Sequence, residues 1–559
     1  MTDRFAIPSG TPYTVGGCPT ALGPYCGGTW SGLMENLDYI QGMNFDAIWM
    51  SPIIAQLPQL TPDGRSYAGY WQQDLMDINY NFGSSEDLHA LIDEIHARGM
   101  YYMMDVSVNH MAFSGAADAI DYSVLNPFDN EKYYHPYCEL DYSGKNITSL
   151  EQCWLGSWFV PLADLRTESK EVREIFGTWI KEMVANYSVD GLRIDTGVNV
   201  EPSFFTDFVE SAGVFATAEV YLSNDSVACE WEATVGSIIN YPLYWPLTAA
   251  FTPYGSYDNL TAMMVSEQSS CKDTTVLATF SENQDVPRFA NHTSDLSLAK
   301  NVATFVILSD GIPIIYQGQE QHLGGGTDPF TNREALWETG LSVFATMYQH
   351  IATLNTFRRH VIQISSNYTA TQTNVTHQDD NFMVMRKGVD GAQVITVLNN
   401  GGESQTSDDL ALSSSEHGYT SGTVVTELLT CTNLTVSSTG ALTVPMVGGL
   451  PSILFPAASL SNSSLCDMGG KKFGYEDIPG TVTASTYTTT ISGTPTAAVV
   501  LATLPVLSST TSAATSTSTA TTKSMASQPA ANSRWVAFAA AIALALSSGL
   551  VGLLIGSVA

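Results

Sequence analysis

The stretch VDGLRIDTG, residues 189–197, is a short apolar run that carries Arg193 and Asp195 near its end. Other runs of similar length and character occur before and after it. Near-continuous apolar character over so few residues is typical of parallel strands that are covered on both faces. The predicted strands are FDAIWMSPI (45–53), MYYMMDVSV (100–108), VDGLRIDTG (189–197), GVFATAEV (213–220), TTVLATFSE (274–282) and GIPIIYQGQ (311–319).

Amphipathic helices are predicted between these strands. In residues 84–100, leucine and isoleucine recur at helical spacing, acidic residues occupy the first turn, and Gly99 can end the helix. Residues 168–187 show the same pattern. Because strand–helix units repeat along residues 1–361, we expect an α/β fold with a (β/α)8 TIM barrel rather than a doubly wound sheet.

Four further segments interrupt or follow the predicted barrel. Residues 111–165 are rich in Tyr, Pro, Asn and Asp, which indicates a domain inserted after the third strand. Short alternating runs in residues 362–470 predict a C-terminal antiparallel β-sandwich. Residues 471–533 are dominated by Ser, Thr, Ala and Pro, a composition typical of an extended, O-glycosylated stalk. Residues 534–559 are mostly apolar behind a polar spacer, which resembles a GPI-attachment signal more than a tail-anchored helix.

The overall charge of the chain limits the class of partner. The 559 residues carry a formal net charge of −33, while 44% of them are hydrophobic. So acidic a surface repels phosphate backbones, which argues against a nucleic-acid partner and favours a neutral substrate. We expect a monomer with a large core.

The cysteines and glycosylation sequons indicate the secretory pathway. The eight Cys include no tight CxxC pair and fall into local couples, which favours four disulfides over a metal cluster. The couples are Cys18 with Cys26, Cys138 with Cys153, Cys229 with Cys271, and Cys431 with Cys466. Nine Asn-x-Ser/Thr sequons support a glycoprotein at the cell surface, anchored by GPI to the plasma membrane or the cell wall.

The first residues, MTDRFAIPSG, do not support entry into the secretory pathway, because they lack the basic and apolar regions of a signal peptide. We expect an incomplete gene model, in which the signal peptide and the start of the first barrel strand are missing and TDRFA ends that strand. The alternative is a cytosolic chain with an open barrel edge.

Polar residues end several of the predicted strands, where a parallel barrel gathers its active site. Glycoside hydrolysis needs two carboxyl groups that flank the scissile bond, one as nucleophile or base and one as proton donor. Any single acid at a strand end is more often a cap or an ion-pair partner, so the inference rests on their joint occurrence. The candidates are Asn109, His110, Arg193, Asp195, Glu219 and Asp285.

Over residues 1–470 the chain resembles the α-amylase superfamily of glycoside hydrolases, family 13. It is most similar to the fungal α-amylases and their GPI-anchored 4-α-glucanotransferase relatives. The motifs that carry the resemblance are GGTWSGLMENLDYIQGMNFDAIWMSPI (27–53), GYWQQD (69–74), DVSVNH (105–110), CWLG (153–156), GLRIDT (191–196), AEVY (218–221), FSENQD (280–285), YQGQEQH (316–322) and DPFTNRE (328–334). The Cys spacings are also similar to those of the fungal amylases.

The resemblance implies a role for each carboxylate. Asp195 corresponds to the nucleophile that forms a covalent glycosyl-enzyme, Glu219 to the general acid/base, and Asp285 to the third carboxylate, which holds the sugar at the cleavage point. The implied substrate-binding residues are Tyr70, His110, Arg193, Asp328 and Arg333, although the stretch between Asp328 and Arg333 carries one extra residue.

The resemblance also implies a calcium site that joins the inserted domain to the barrel. Its ligands would be Asn109, Glu151, Asp164 and the backbone carbonyl of Asn199. Oxygen ligands from separate segments suit Ca²⁺. The ion would shape the substrate cleft without taking part in bond breaking.

Four positions depart from the fungal amylase pattern around the sugar subsites. Val198 and Asn199 stand where a Lys-His pair is usual, and Gln284 and Ala68 each replace a His. With the three carboxylates intact, these changes favour a retaining 4-α-glucanotransferase of cell-wall α-glucan metabolism, which acts on α-1,4-glucan or maltooligosaccharides. The alternatives are an α-amylase that hydrolyses internal α-1,4 bonds, and a non-catalytic wall glucan-binding protein.

Overall fold

The computed structural model describes residues 1–466 apart from positions 15, 21–22, 142–145, 254, 328–329, 406–408, 462 and 464. The predicted stalk (471–533), the predicted GPI signal (534–559) and Asp328 therefore lie outside the described residues. Among the helices within them, none is long and apolar enough to cross a membrane.

The strands follow one another along the chain in this order: β1 (Ala47–Met50), β2 (Ile54–Gln56), β3 (Gln72–Ile78), β4 (Tyr101–Ser107), β5 (His110–Ala112), β6 (Leu155–Gly156), β7 (Pro161–Asp164), β8 (Gly191–Asp195), β9 (Phe215–Ala218), β10 (Ala278–Thr279), β11 (Ile312–Pro313), β12 (Asn374–Gln378), β13 (Phe382–Lys387), β14 (Val394–Asn399), β15 (Leu410–Leu412), β16 (Val424–Glu427), β17 (Thr432–Thr435), β18 (Leu442–Val444) and β19 (Ser452–Pro456).

The α-helices are α1 (Thr2–Phe5), α2 (Trp30–Glu35), α3 (Leu37–Gln41), α4 (Ser85–Ala97), α5 (Ile147–Gln152), α6 (Lys170–Asn186), α7 (Pro202–Ala212), α8 (Asp225–Val235), α9 (Tyr241–Ala250), α10 (Asp258–Ser270), α11 (Phe289–His292), α12 (Leu296–Leu308), α13 (Thr346–Ile364) and α14 (Ser414–His417). Short 3-10 helices lie at Ala117–Ala119, Tyr122–Val124, Glu131–Tyr133, Gly197–Asn199, Thr274–Val276, Gln319–Gln321, Leu336–Thr339 and Ala457–Leu460.

The barrel strands pair in parallel in the order β1, β4, β8, β9. Single parallel bridges from Ala218 to Ile238 and from Ile239 to Ala278 continue the sheet to β10, which pairs with β11. All six predicted apolar runs contain one of these strands. Helices cover the sheet, as α4 shows: its Ser84–Asp87 capping box fixes its start and its apolar face is buried.

The expectation that TDRFA ends a barrel strand is wrong for this structure, because these residues form helix α1. The backbone carbonyls of Asp3 and Ala6 accept hydrogen bonds from Gly28 and Thr29, and the Asp3 carboxylate accepts from the amides of Cys26 and Gly27. The carbonyl groups of Asp3 and Ala6, which a strand would use to pair with its neighbour, are therefore bonded to the loop at residues 26–29.

The segment predicted as an inserted domain, residues 111–165, lies between β4 and α6. Strands β5, β7 and β6 form a small antiparallel sheet in which His110 pairs with Asp164. This register places the end of the inserted segment directly beside the residues that follow β4.

The C-terminal part forms two antiparallel sheets, as predicted. A six-stranded sheet runs in the order β12-β13-β14-β19-β16-β17, and β15 pairs with β18. Side chains from both sheets, among them Val397, Val425, Leu412 and Val444, pack into one core.

Two further features of the described chain concern its cysteines and its glycosylation sequons. The cysteines form the four disulfides expected from their spacing, Cys18–Cys26, Cys138–Cys153, Cys229–Cys271 and Cys431–Cys466. The sequon asparagines that the structure describes are all exposed, at positions 146, 186, 224, 259, 291, 367, 374 and 433.

Candidate active site

Arg193 lies at the centre of a buried group of carboxyl side chains at the ends of β8 and β9. Its Nη1 donates to Oδ1 of Asp195 at 2.7 Å and to Oδ1 of Asp105 at 2.9 Å. Its Nη2 lies 2.9 Å from Oε2 of Glu219. Asp195 ends β8 and Glu219 directly follows β9, so two adjacent parallel strands bring both carboxyls to the same edge. One guanidinium group therefore holds three carboxyl groups together.

The carboxyl group of Glu219 is held on both oxygens. Its Oε2 also accepts a hydrogen bond from the backbone amide of Thr196 at 3.0 Å. The hydroxyl of Tyr241 donates to Oε1 at 3.3 Å and itself accepts from Nδ2 of Asn283 at 2.8 Å. Because Tyr241 begins α9 and Asn283 lies in the loop after β10, the orientation of Glu219 depends on two further elements.

Asp105 lies within β4 and connects Arg193 to the aromatic side of the site. Its Oδ2 accepts from Nε1 of Trp49 at 2.9 Å and from the hydroxyl of Tyr70 at 2.8 Å. The ring centre of Tyr70 is 5.5 Å from the guanidinium carbon of Arg193. The predicted sugar platform is thus held beside Arg193, the partner of the predicted nucleophile Asp195.

Asp285 lies in the loop after β10 and contacts Arg333. Nη2 of Arg333 donates to Oδ1 of Asp285 at 3.2 Å, and its Nε donates to the backbone carbonyl of Gln284 at 2.9 Å. The side chain of Gln284 donates to the hydroxyl of Tyr70 at 3.3 Å. The loop that carries the third carboxylate is therefore joined to the Tyr70 side of the cluster.

The electrostatics of the cluster favour retained protons. Three buried carboxyl groups, those of Asp105, Asp195 and Glu219, and the half-buried Asp285 face the guanidinium groups of Arg193 and Arg333. Burial raises the pKa of Asp195 well above its ordinary value, and the charge of Arg193 opposes that rise. Burial, reinforced by the charge of Glu219, raises the pKa of Asp285 to about 6. The cluster therefore keeps a proton at a pH where exposed carboxyl groups have lost theirs.

His110 lies against the backbone of Tyr70. Its Nε2 is 3.0 Å from the Tyr70 carbonyl oxygen, and its Nδ1 is 3.3 Å from the side-chain nitrogen of Asn109. Burial lowers the pKa of His110 to about 4. The ring is therefore neutral near pH 7, with Nε2 as the donor; its role in sugar binding stays a prediction.

Three of the four predicted calcium ligands meet where the inserted segment joins the barrel. The side-chain oxygen of Asn109 faces the backbone carbonyl of Asn199 and Oδ1 of Asp164, and rotating the amide would replace these contacts by hydrogen bonds of 2.9 and 3.2 Å. Three converging oxygens form a donor set that suits a hard cation. The other oxygen of Asp164 lies 2.7 Å from Nδ1 of His135.

Glu151, the fourth predicted ligand, is half-buried on α5. The carbonyl of its neighbour Leu150 accepts from the side chain of Asn199 at 2.9 Å. Within the described ranges no three His, Cys, Asp or Glu side chains form a metal-binding group. Amide and carbonyl oxygens would therefore have to complete this site, and the residues present fit that requirement.

Comparison with known proteins places the chain in a family. Residues 2–391 match the family described as alpha amylase, catalytic domain, and residues 375–473 match alpha-amylase, domain C. The chain belongs to the α-amylase family. It is an α-amylase-family glycosidase, as the motifs predicted.

Individual α-amylases are similar over most of their length. The chain is 47% identical over 471 residues to alpha-amylase 1 of Lipomyces kononenkoae, an alignment that covers 84% of this chain and 74% of that protein. It is 41% identical over 468 residues to alpha-amylase 1 of Schwanniomyces occidentalis, covering 84% and 90%. The solved α-amylase of Malbranchea cinnamomea superposes with a TM-score of 0.80 at 44% identity, covering 84% of this chain and 97% of that one. These matches confirm the predicted TIM barrel with a C-terminal sandwich domain.

The α-amylase-family site also contains residues that sequence reasoning missed. Asp105, Trp49, Tyr241 and Asn283 all contact the predicted cluster directly or through one hydrogen bond. Asp105 could have been predicted as a site residue, because it is the one acid within the apolar run MYYMMDVSV and lies on the same strand face as Asn109. Asn283 lies within the quoted motif FSENQD, two residues before Asp285, whereas Tyr241 gave no signal because its contacts arise from how α9 packs against the barrel.

Proposed function

We propose that this glycosidase cleaves internal α-1,4 bonds of starch-like glucans through a covalent glycosyl-enzyme. The observation that carries the proposal is the Arg193 guanidinium, which contacts both Asp195 and Glu219. Carboxyl groups held by one side chain fit the ~5–5.5 Å separation of retaining enzymes better than the ~6.5–9.5 Å of inverting ones. The α-amylase names of the relatives favour hydrolysis over the transferase outcome that the sequence predicted.

In the proposed cycle Asp195 attacks the anomeric carbon while Glu219 gives its proton to the departing glycosidic oxygen. The carboxylate of Glu219 then takes a proton from water, whose oxygen attacks the same carbon and releases Asp195. Arg193 favours the ionised form of Asp195 before attack. Asp285 and Arg333 hold the sugar's hydroxyl groups, which orients the anomeric carbon.

Transfer to a sugar acceptor is the second candidate, favoured by the residues on the acceptor side. Val198 is buried, and the Asn199 side chain donates to Leu150 rather than entering the cleft. The usual Lys-His pair is therefore replaced by groups without charge. A tenfold change in the choice between water and sugar needs a barrier difference of only ~1.4 kcal/mol.

Maltoheptaose distinguishes the two outcomes. Hydrolysis predicts shorter products only, with one new reducing end for each bond cleaved. Longer products at a constant number of reducing ends would contradict the amylase proposal and support the transferase. The Gln284→His variant serves as a comparison, because restoring the family's usual residue should move a transferase toward hydrolysis.

The Asp195→Asn variant tests whether the protein acts as an enzyme or only binds glucan. It should bind amylose with unchanged affinity and lose at least about 10³-fold in kcat, because no nucleophile remains. Unchanged cleavage would remove Asp195 from the mechanism.

We also propose that Asn109, Asp164, Glu151 and the Asn199 carbonyl hold Ca²⁺, in keeping with the oxygen set described above. When bound, the ion would supply fixed positive charge that ties the inserted segment to the barrel. The residues that break the bond lie outside this ligand set.

We further propose a surface-displayed glycoprotein, supported by paired cysteines, exposed sequons and the pattern of residues 534–559. Treating intact cells with phosphatidylinositol-specific phospholipase C should release the protein if the anchor is GPI on the membrane. Release only by glucanase would indicate transfer to the wall.

A further inference from the structure

Two neighbouring aromatic side chains are exposed at the tip of the hairpin between β6 and β7. Trp158 is 57% and Phe159 is 40% exposed. Contiguous exposed apolar surface can mark a ligand-binding site, whereas single exposed apolar residues are ordinary. Both residues lie outside the catalytic cluster and the proposed calcium ligands.

Hydrogen bonds connect the hairpin tip to the neighbouring segments. The amide of Ser157 donates to the Val160 carbonyl at 3.0 Å, and the amide of Gly115 donates to the Phe159 carbonyl at 3.0 Å. The hydroxyl of Ser157 accepts from the amide of Phe159 at 3.0 Å and donates to the carboxylate of Asp63. Below the tip, apolar side chains of the hairpin pack with Leu57. The two rings are therefore presented on a backbone held by hydrogen bonds, which lowers the entropy lost on binding.

The tip is structurally continuous with the catalytic site. Strand β7 of the hairpin pairs with β5, which begins at His110. Asp63, the partner of Ser157, lies in the loop that leads through Tyr67 to Tyr70. In that same loop Leu60 is 68% exposed. The exposed apolar residues thus belong to the two segments that flank the Tyr70 side of the cluster.

We propose that Trp158 and Phe159, here called the aromatic ledge, bind glucosyl units of a long α-1,4-glucan beyond those held at the cleavage point. Glucose rings present apolar C–H faces that stack on aromatic rings, while their hydroxyl groups remain in water. The ledge carries no charge, which suits a neutral chain in a protein of net charge −33. The proposal rests on the proposed α-glucan substrate, but it holds whether water or sugar is the acceptor.

The test compares long and short substrates. In Trp158→Ala we expect the KM for amylose to rise about tenfold, as removal of an aromatic anchor typically causes, with kcat unchanged. Cleavage of maltotetraose should keep its KM, since that chain is too short to use the ledge. Phe159→Ala should act in the same direction.

Matched controls come from the opposite end of the barrel strands. Tyr101 is 59% exposed at the start of β4, and Phe215 is 40% exposed at the start of β9. Tyr101→Ala and Phe215→Ala remove similar rings and should leave the KM for amylose unchanged.

Three results would overturn the ledge. An unchanged KM for amylose in the Trp158→Ala,Phe159→Ala double variant is the first, and equal changes for amylose and maltotetraose are the second. The third is a wild-type protein that sediments as a dimer while the double variant sediments as a monomer, which would make the patch an interface between copies of the chain. A product pattern of transfer instead of hydrolysis would contradict the proposed amylase activity and leave the ledge intact.

Discussion

At the scale of single residues, the hydroxyl of Tyr241 donates a hydrogen bond to Glu219, and in the proposed cycle it would stabilise that carboxylate once its proton has left. We expect Tyr241→Phe to lower kcat by about tenfold with little change in KM, because the lost hydrogen bond acts on the catalytic carboxylate rather than on the sugar. Steady-state kinetics on amylose measure both constants.

Tyr244→Phe is the matched control for this change. Tyr244 lies one turn along α9, is equally buried, and its ring stacks on Phe280. Equal loss of kcat in both variants would show that the effect comes from packing of α9 and not from the hydrogen bond to Glu219.

Protonation of Asp285 should cause the loss of activity at acidic pH. Its pKa is raised to about 6 by burial, so its carboxylate becomes protonated as pH falls through 6 and kcat/KM should fall with it. The charge of Arg333 opposes the rise in pKa. Arg333→Gln should therefore move the acidic limb of the kcat/KM profile to higher pH, whatever it does to the maximum.

The profile of a surface variant gives the comparison for Arg333→Gln. Arg173 pairs with Glu201 on the outer helices, and Arg173→Gln should leave the acidic limb in place. A limb that stays fixed in Arg333→Gln as well would mean that Asp285 is not the group that titrates.

Sequence reasoning named the carboxyl groups of the site but not the residues that orient them. Asp195 and Glu219 could be predicted from the sequence because each lies at the end of an apolar run, and the strand ends meet at one face of the barrel. Tyr241 contacts Glu219 only because α9 begins beside the loop that carries Asn283. That proximity depends on packing between distant segments, which local periodicity does not encode.

At the scale of elements, the proposed Ca²⁺ site predicts that the stability of the junction between β4, β7 and the turn at Gly197–Asn199 depends on the ion. Removing the ion with EDTA should lower the melting temperature, since a ligand at about 100 times its Kd stabilises the folded state by ~2.7 kcal/mol. Asn109→Ala should melt lower with calcium present and respond little to EDTA. Differential scanning calorimetry measures both.

Asn130→Ala provides the control for the junction. Asn130 is an exposed cap residue in the same inserted segment, so its variant should keep the full response to EDTA. If the wild-type protein shows no shift with EDTA, and titration calorimetry detects no Ca²⁺ binding, the proposed site is wrong.

Strands were predicted correctly from the sequence where a run is apolar on both faces. Prediction failed where contacts with distant segments determine the backbone conformation. Strands β1, β4, β8 and β9 were each predicted from such runs. Residues 238–239 add a sheet position that is too short to give a periodic signal. Residues 2–5 adopt a helix because their polar groups bond to the loop at 26–29, an outcome that their own sequence does not indicate.

At the scale of the whole molecule, stability should rise as pH falls from 8 toward 5. Burial raises the pKa of Glu267 to about 8 and that of Glu282 to about 7. Unfolding exposes both groups and returns their pKa values to about 4.5. Between these limits the folded state binds more protons than the unfolded state, so the free energy of unfolding decreases as pH rises. The net charge of −33 acts in the same direction through self-repulsion.

Glu267→Gln separates the buried group from the general charge effect. Glu267 lines a small cavity with Ser309 and Asp310, and its Oε1 has no hydrogen-bond partner there. A neutral amide removes the penalty of ionisation, so the variant should melt above the wild type at pH 8 and close to it at pH 5. Glu182→Gln, exposed on α6, removes the same formal charge and should leave the slope of melting temperature against pH unchanged. Parallel slopes for Glu267→Gln and the wild type would show that overall charge, and not this buried carboxyl, governs the acid stabilisation.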